Sequence, residues 1–220
     1  MQGRIVIIRH AETQWSINGR HTGSTDLPLT AAGRIKGELI GSALSEFRFD
    51  SVWTSPLRRA ADTCRLAGLG DVARTRSDLV EWDYGDYEGI TTAEIIETRP
   101  GWDLWLHGAP GGESPDDVAR RVDTLVAELA RFGGDVAIFS HGHLSRALAV
   151  RWVGLPIEAG RLLALGTGTI SVLSWQRDVR VIARWNDDSH LRAADAAVAT
   201  EHGAEASQPG WPDASRGDVR

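Results

Sequence analysis

The chain has 220 residues, enough for one domain that buries about 70% of the surface its unfolded form would expose. Its formal charge of −6, with 24 Lys and Arg against 30 Asp and Glu, argues against nonspecific nucleic-acid binding, which draws on clustered cations. No run approaches the roughly 18 apolar residues of a spanning helix, no secretory leader pattern follows Met1, and the single cysteine, Cys64, reads as a small buried hydrophobe, so a cytoplasmic chain without disulfides is expected.

Arg4 to Ile8 is a short, β-branched apolar run, the pattern of a central strand covered on both faces, and function is expected beyond its C-terminal end. Thr30 reads as the N-cap of a helix over Ala31 to Leu44, with Ile35, Leu39, Ile40 and Leu44 at helical spacing. Ser51 to Thr54 follows as a strand, Pro56 opens a helix through Leu66 from its first position, and Val72 to Arg76 is a third strand. Glu81 to Gly89, rich in glycine and aromatics, is a loop. Thr91 to Thr98 reads as a helix stopped by Arg99-Pro100-Gly101, and an irregular Gly108 to Glu113 leads into a helix from Ser114 to about Arg131.

Val136 to Phe139 is the next buried strand, with a helix from about Leu144 to Trp152 after it. Ile170 to Trp175 and Val179 to Trp185 alternate across a polar turn, as a hairpin or neighbouring strands. Strands alternating with helices predict an α/β protein with a mostly parallel central sheet and helices on both faces, in three α/β/α layers. From Ala193 onward Ala, Asp, Ser, Gly and Pro replace the apolar periodicity, so 1–192 is expected to be the domain and 193–220 a disordered tail in which Trp211 alone could dock.

Arg9-His10-Ala11-Glu12-Thr13 places a cation and an imidazole at the end of the first strand. Alone, such a pair is most often merely solvated. Ser140-His141-Gly142-His143 follows the second buried strand in the same way, so both histidines reach one sheet edge. Between them lie Ser55-Pro56-Leu57-Arg58-Arg59-Ala60, again after a strand, and the loop Glu81-Trp82-Asp83-Tyr84-Gly85. Each is ambiguous singly: Arg58 and Arg59 fit a solvated helix face, His141 a helix cap, Glu81 an ordinary loop carboxylate. Lys36 is the only lysine, so any phosphate site must be built from arginine forks and backbone amides.

In chain order these segments resemble the four signatures of the histidine phosphatase superfamily, which includes the cofactor-dependent phosphoglycerate mutases. The resemblance runs from about Arg4 to Leu191, with Asn186 and His190-Leu191 similar to that family's C-terminal end. Trp15-Ser16, Thr22-Gly23, Thr25 to Thr30, Glu81 to Gly89 and Ser140 to His143 are most like a subgroup of small-molecule phosphatases. That subgroup includes bacterial broad-specificity acid phosphatases and a fungal sedoheptulose bisphosphatase.

The resemblance implies a phosphoglycerate mutase-like fold and a phosphatase acting on small phosphomonoesters, with no cofactor and no metal. It implies His10 as nucleophile, Arg9, Arg59 and His141 around the transferring phosphoryl group, Glu81 as proton donor, and Ser16, Thr22, Gly23, Tyr84 and Gly142 as substrate contacts. The chemistry agrees: phosphoryl transfer spreads negative charge over equatorial oxygens, which fixed cations stabilise, while a neutral imidazole forms a phosphohistidine that water then clears. Ser16 stands where most members carry asparagine, and Ala11 where most carry glycine. Trp15, His21, Trp82, Tyr84, Trp102 and Trp105 are candidates for the pocket wall, though each tryptophan fits core packing better. His143 and Arg146 lie a helical turn apart after His141, and Arg146 fits either a second phosphate or a surface ion pair.

A phosphoglycerate mutase, a sugar bisphosphatase of narrow specificity and a catalytically dead binding module are the alternatives. The module has no need of all five catalytic candidates. The mutase is disfavoured because the segment from Gly89 to Glu113 is short and carries only Arg99, where mutases have a longer insertion with paired arginines. The expected partner is a small-molecule phosphate ester, with neither nucleic acid nor membrane; a homodimer is left open.

Overall fold

Four apolar residues in a row let β1 (Ile5–Arg9) lie at the centre of the sheet, buried from both sides. The computed structural model describes residues 2–192, so the tail expected from Ala193, with Trp211, lies outside the described residues. The other strands are β2 (Ser51–Thr54), β3 (Ala73–Thr75), β4 (Val136–Ser140), β5 (Ile170–Gln176) and β6 (Val179–Asp187). They form one sheet in the order β3-β2-β4-β1-β5-β6. The β1, β2, β3 and β4 neighbours pair in parallel, and β5 alone runs against them, between β1 and β6. The mostly parallel sheet is as expected, and the two last strands are a hairpin.

The period-two alternation of the strands divides the core. Ile5, Ile7, Trp53, Val136, Ile138 and Leu173 face one cluster, completed by α6 (Pro115–Phe132) and α7 (Gly142–Trp152). Val6, Ile8, Val52, Ala137, Phe139 and Val172 face the other, completed by α2 (Ala31–Leu44) and α3 (Arg58–Leu66). Helices on both faces give the three layers. Cys64 is fully buried in the second cluster, and burial pushes its thiol pKa up to about 12, so it is inert packing.

Local signals explain most boundaries. The Thr30 hydroxyl accepts from the Gly33 amide, and Ser114 with Asp117 forms a capping box ahead of Pro115. Thr91 and Glu94 form another before α4 (Thr92–Thr98). Two expectations need correction. Pro56 is not the first helical residue: α3 starts at Arg58, whose amide donates to Asp26 Oδ1 at 2.7 Å, so a cap distant in sequence sets the start. The third strand is only Ala73–Thr75, because Gly70–Val72 winds into a 3-10 turn. Two short helices, α1 (Gln14–Asn18) and α5 (Leu104–His107), went unforeseen. At four or five residues neither is long enough to display a helical period.

Candidate active site

The register of the sheet assembles the site. Arg9 pairs with Ser140 and Thr54 with Phe139, so β1, β4 and β2 end level with one another. The His10 amide then donates to the Ser140 carbonyl at 2.9 Å, and the Ser55 amide to the Phe139 carbonyl at 3.0 Å. His10, His141 and Ser55 therefore leave the sheet side by side, where parallel sheets open their ligand crevice.

His10 is buried, and its Nδ1 lies 2.8 Å from the Ala11 carbonyl. A carbonyl only accepts, so Nδ1 carries the proton and Nε2 keeps the lone pair. Burial, helped by the charges of Arg9 and Arg59, holds the His10 pKa well below the usual imidazole range, so the ring is neutral. Ala11 is buried without strain, since among described non-glycine residues only Arg177 and Asn186 have positive φ.

Arg9 donates one terminal N–H to the Leu165 carbonyl, while its Nε is buried with no hydrogen-bond partner. An orphaned buried donor is costly unless a ligand completes it. Gly142 lies against this guanidinium: a Cβ there would meet Arg9 Cζ and Nε at 3.3 Å, so glycine allows the close approach.

Glu81 is buried where α7 begins. Its Oε1 accepts from the amides of Trp82 at 3.0 Å and Leu144 at 2.8 Å, and its Oε2 from that of His143 at 3.0 Å. This works because α7 starts at Gly142, earlier than the expected Leu144, and so offers first-turn amides to the carboxylate. The Tyr84 hydroxyl lies 2.6 Å from His143 Nδ1. Burial first, and then the charge of Glu81, pushes the Tyr84 pKa well above 10, so the phenol keeps its proton.

Arg9, His10, Trp15, Ser16, Arg20, His21, Thr22, Glu81, Tyr84, Gly142, His143 and Arg146 surround one cavity of about 210 Å3. The expected Arg9, His10, Glu81, Ser16, Thr22, Tyr84 and Gly142 thus come together. Arg59, His141 and Gly23 stand behind the wall instead. Gly23 gives its amide to Glu88, whose Oε1 also accepts from Thr25, which leaves that N–H committed. Arg59 is fully buried and donates to the carbonyls of Thr22, Gly23 and Thr25 and, through Nε, to His141 Nδ1 at 3.1 Å. His141 Nε2 then carries the proton, donated to Ser55 Oγ at 2.8 Å. The His141 ring centre is 5.4 Å from that of His10, and burial and Arg59 hold its pKa well down.

Trp82, Trp102 and Trp105 are core residues, and Trp15 alone of the tryptophan candidates lines the cavity. Arg20, Thr92 and Leu165 line it unforeseen. Thr92 follows the Thr91 cap, a legible helix start that nothing in the sequence aims at the site; Leu165 contributes from a loop with no motif.

Because Arg59 satisfies three carbonyls and one imidazole from full burial, Arg59→Met leaves these groups unpaired. The expected cost is about 3 kcal/mol, or roughly a 10 °C lower Tm for a chain of this size. A thermal melt checks it, and an unchanged Tm would mean that water replaces the guanidinium.

Comparison with known proteins follows the same lines. The sequence profile described as histidine phosphatase superfamily (branch 1) matches residues 5–188. An acid phosphatase of Mycobacterium tuberculosis is 45% identical over 184 residues, covering 82% of this chain and 90% of its own. A sedoheptulose 1,7-bisphosphatase of Saccharomyces cerevisiae is 34% identical over 189 residues, covering 70% and 69%. A solved structure of an open reading frame product from Mycobacterium tuberculosis, 45% identical, superposes with a TM-score of 0.80 over 84% of this chain and 97% of the other.

Proposed function

The chain belongs to the histidine phosphatase superfamily, and on that footing we propose that it hydrolyses small phosphomonoesters, sugar or sugar-acid phosphates, through a phosphohistidine on His10 Nε2. The observation that carries this reading is a neutral His10 with its Nε2 lone pair free, lining one cavity with the Arg9 guanidinium, which gives one terminal nitrogen to Leu165 and keeps the other without a hydrogen bond among the described residues. A phosphoryl dianion satisfies both, offering phosphorus to the imidazole and oxygen to the guanidinium.

Arg9 stabilises the equatorial oxygens as charge spreads over them, with Gly142 allowing the guanidinium close. The Ser16 and Thr22 hydroxyls also line the cavity but donate to the carbonyls of Thr13 at 2.8 Å and Arg20 at 3.1 Å, so each must turn its O–H to reach a phosphate oxygen. Arg59 and His141 act from behind. The charge of Arg59 disfavours a proton on His10, and its grip on Thr22 to Thr25 shapes the phosphate loop. Glu81, at the cavity wall, protonates the departing alkoxide and then activates the water that clears the phosphohistidine. Gly23 contributes through the turn that Glu88 holds, and Tyr84 through His143.

Mutase chemistry needs water kept from the phosphohistidine. Between Gly89 and Glu113 the one arginine, Arg99, is exposed and does not line the cavity, which favours hydrolysis. We extend the reading to a cytoplasmic enzyme whose working unit is 1–192; no helix among the described residues is long and apolar enough to cross a membrane.

Fixed cations supply the charge stabilisation, so no step is assigned to a metal, and among the described residues no group of three or more His, Cys, Asp or Glu is placed to hold one. Phosphate release from para-nitrophenyl phosphate and from sugar phosphates is expected to be unchanged in excess EDTA. Activity lost to the chelator and restored by a divalent ion would contradict the mechanism.

A further inference from the structure

His21 lines the cavity, yet the phosphoryl chemistry gives it no task. Its segment is tied to the loop before α4: the His21 amide donates to the Ile90 carbonyl at 3.0 Å, and the Gly89 amide to the His21 carbonyl at 2.9 Å. The same Ile90 carbonyl lies 2.8 Å from His21 Nδ1, and since a carbonyl only accepts, Nδ1 carries the proton. Burial holds the His21 pKa below the usual imidazole range, so the ring is neutral and Nε2 keeps its lone pair. That lone pair has no hydrogen bond among the described residues. It opens to the cavity, because the only buried side-chain nitrogen or oxygen atoms without a partner among those residues are Arg9 Nε and Ser145 Oγ.

Packing holds the ring in this direction. Tyr84 stands edge-on to it with 4.8 Å between ring centres, and Trp102 with 5.6 Å. His143 is stacked against it, 6.3 Å away with 23° between the planes, and lines the same cavity. The Tyr84 phenol, which keeps its proton, donates to His143 Nδ1, so His143 Nε2 carries the other proton and is likewise unpartnered. A fixed acceptor and a fixed donor thus stand side by side. Together they complement a hydroxyl group, which offers one O–H and two lone pairs. An ammonium donor would also suit the acceptor, but Arg9, Arg20 and Arg146 line the cavity and repel a cation.

We propose that His21 Nε2 accepts a hydrogen bond from a hydroxyl of the leaving group, with His143 Nε2–H donating to an oxygen beside it, so that His21 selects hydroxylated esters over apolar ones. The inference rests on the phosphatase reading above and deepens it, naming the residue that tells a polyol from an alkyl leaving group. An apolar analogue would strip water from two ring nitrogens and give them nothing in return, which is how a polar site rejects it. Tyr84 is a positioning residue here, since it sets the tautomer that lets His143 donate.

The test uses esters of one skeleton that differ at a single oxygen: ω-hydroxyalkyl phosphates of two to four carbons, their O-methyl ethers and the plain alkyl phosphates. The ether keeps the oxygen, and nearly the acidity of the leaving alcohol, but has no hydrogen to donate; the plain alkyl ester controls for the bulk of the methyl group. At the best length the wild type is expected to favour the hydroxyl over both analogues in kcat/KM by about tenfold, the scale of a hydrogen bond made at a group otherwise left unsatisfied. His21→Phe should bring that ratio close to one, and His21→Gln, whose side-chain oxygen still accepts, should keep part of it. A phenyl ring fills the same space against Tyr84 and Trp102, and the Ile90 carbonyl keeps the backbone amide of position 21, so the variants should fold, which thermal melts verify. A purely packing role would lower all three esters alike and leave the ratio at its wild-type value. That result, or a wild-type ratio near one at every length, would overturn the assignment while wild-type turnover of para-nitrophenyl phosphate still upholds the phosphatase reading. Failure to hydrolyse para-nitrophenyl phosphate at all would overturn both.

Discussion

His10→Ala is expected to lower kcat for every substrate by roughly 10⁴-fold or more, the scale on which removal of a covalent nucleophile is felt. The imidazole is held for attack from both ends. Nδ1 is fixed by the Ala11 carbonyl at 2.8 Å, and Nε2 faces the cavity wall that Arg9 shares. Its pKa is held down by burial first and by Arg9 and Arg59 next, so the neutral form persists well below the pH at which a free histidine protonates. The substitution removes one buried side chain and one hydrogen bond, so the variant should still fold, which a thermal melt verifies. Near-normal turnover in a folded His10→Ala protein would exclude His10 as nucleophile.

Glu81→Gln is expected to separate substrates by their leaving groups. An alkoxide from a sugar phosphate cannot depart without a proton, and general-acid help is worth about 10²–10⁴ in rate. Nitrophenolate leaves without it. The burst of nitrophenol from para-nitrophenyl phosphate should therefore fall far less than phosphoenzyme formation from a sugar phosphate. Pre-steady-state rates are needed because the role proposed for Glu81 includes the hydrolytic step, which steady-state turnover would mix in. The carboxylate accepts from Trp82, His143 and Leu144, and the glutamine amide can accept only through its one oxygen, so some disturbance of the α7 start is built into the variant. That disturbance would act on both substrates alike. An equal loss for both would mean that Glu81 shapes the start of α7 and that the proton comes from elsewhere, with Asp83 or His141 next to test.

The parts of the fold written in periodicity were legible. β1 and β4 read as buried strands because they bury both faces, and α2 and α6 announce their starts through Thr30 and Ser114. What escaped was set by contacts distant in the chain. Asp26 caps α3 from 32 residues away, and α1 and α5 are too short to repeat a pattern. The same division runs through the site. His10 and Gly142 follow strands whose ends align, so their convergence could be foreseen from strand order alone. Arg59 follows a strand as well, yet its fork turns onto three carbonyls of the Thr22–Thr25 loop, a demand that exists only once that loop has folded. The Gly23 amide is taken by Glu88, 65 residues on, for a similar reason. Arg146 was ambiguous in sequence because ion pairing depends on neighbours; the structure supplies a carbonyl and a ring but no carboxylate.

The most direct test of the covalent route is a rapid quench of the enzyme with substrate labelled in the phosphoryl group, followed by peptide mapping. The account predicts label on His10 that is stable to base and released by acid, formed within the first turnover and absent from His10→Ala. A phosphoenzyme on another residue, or burst-free turnover in which no label is trapped at any quench time while a substrate chiral at phosphorus gives inverted phosphate, the mark of a single displacement by water, would contradict it.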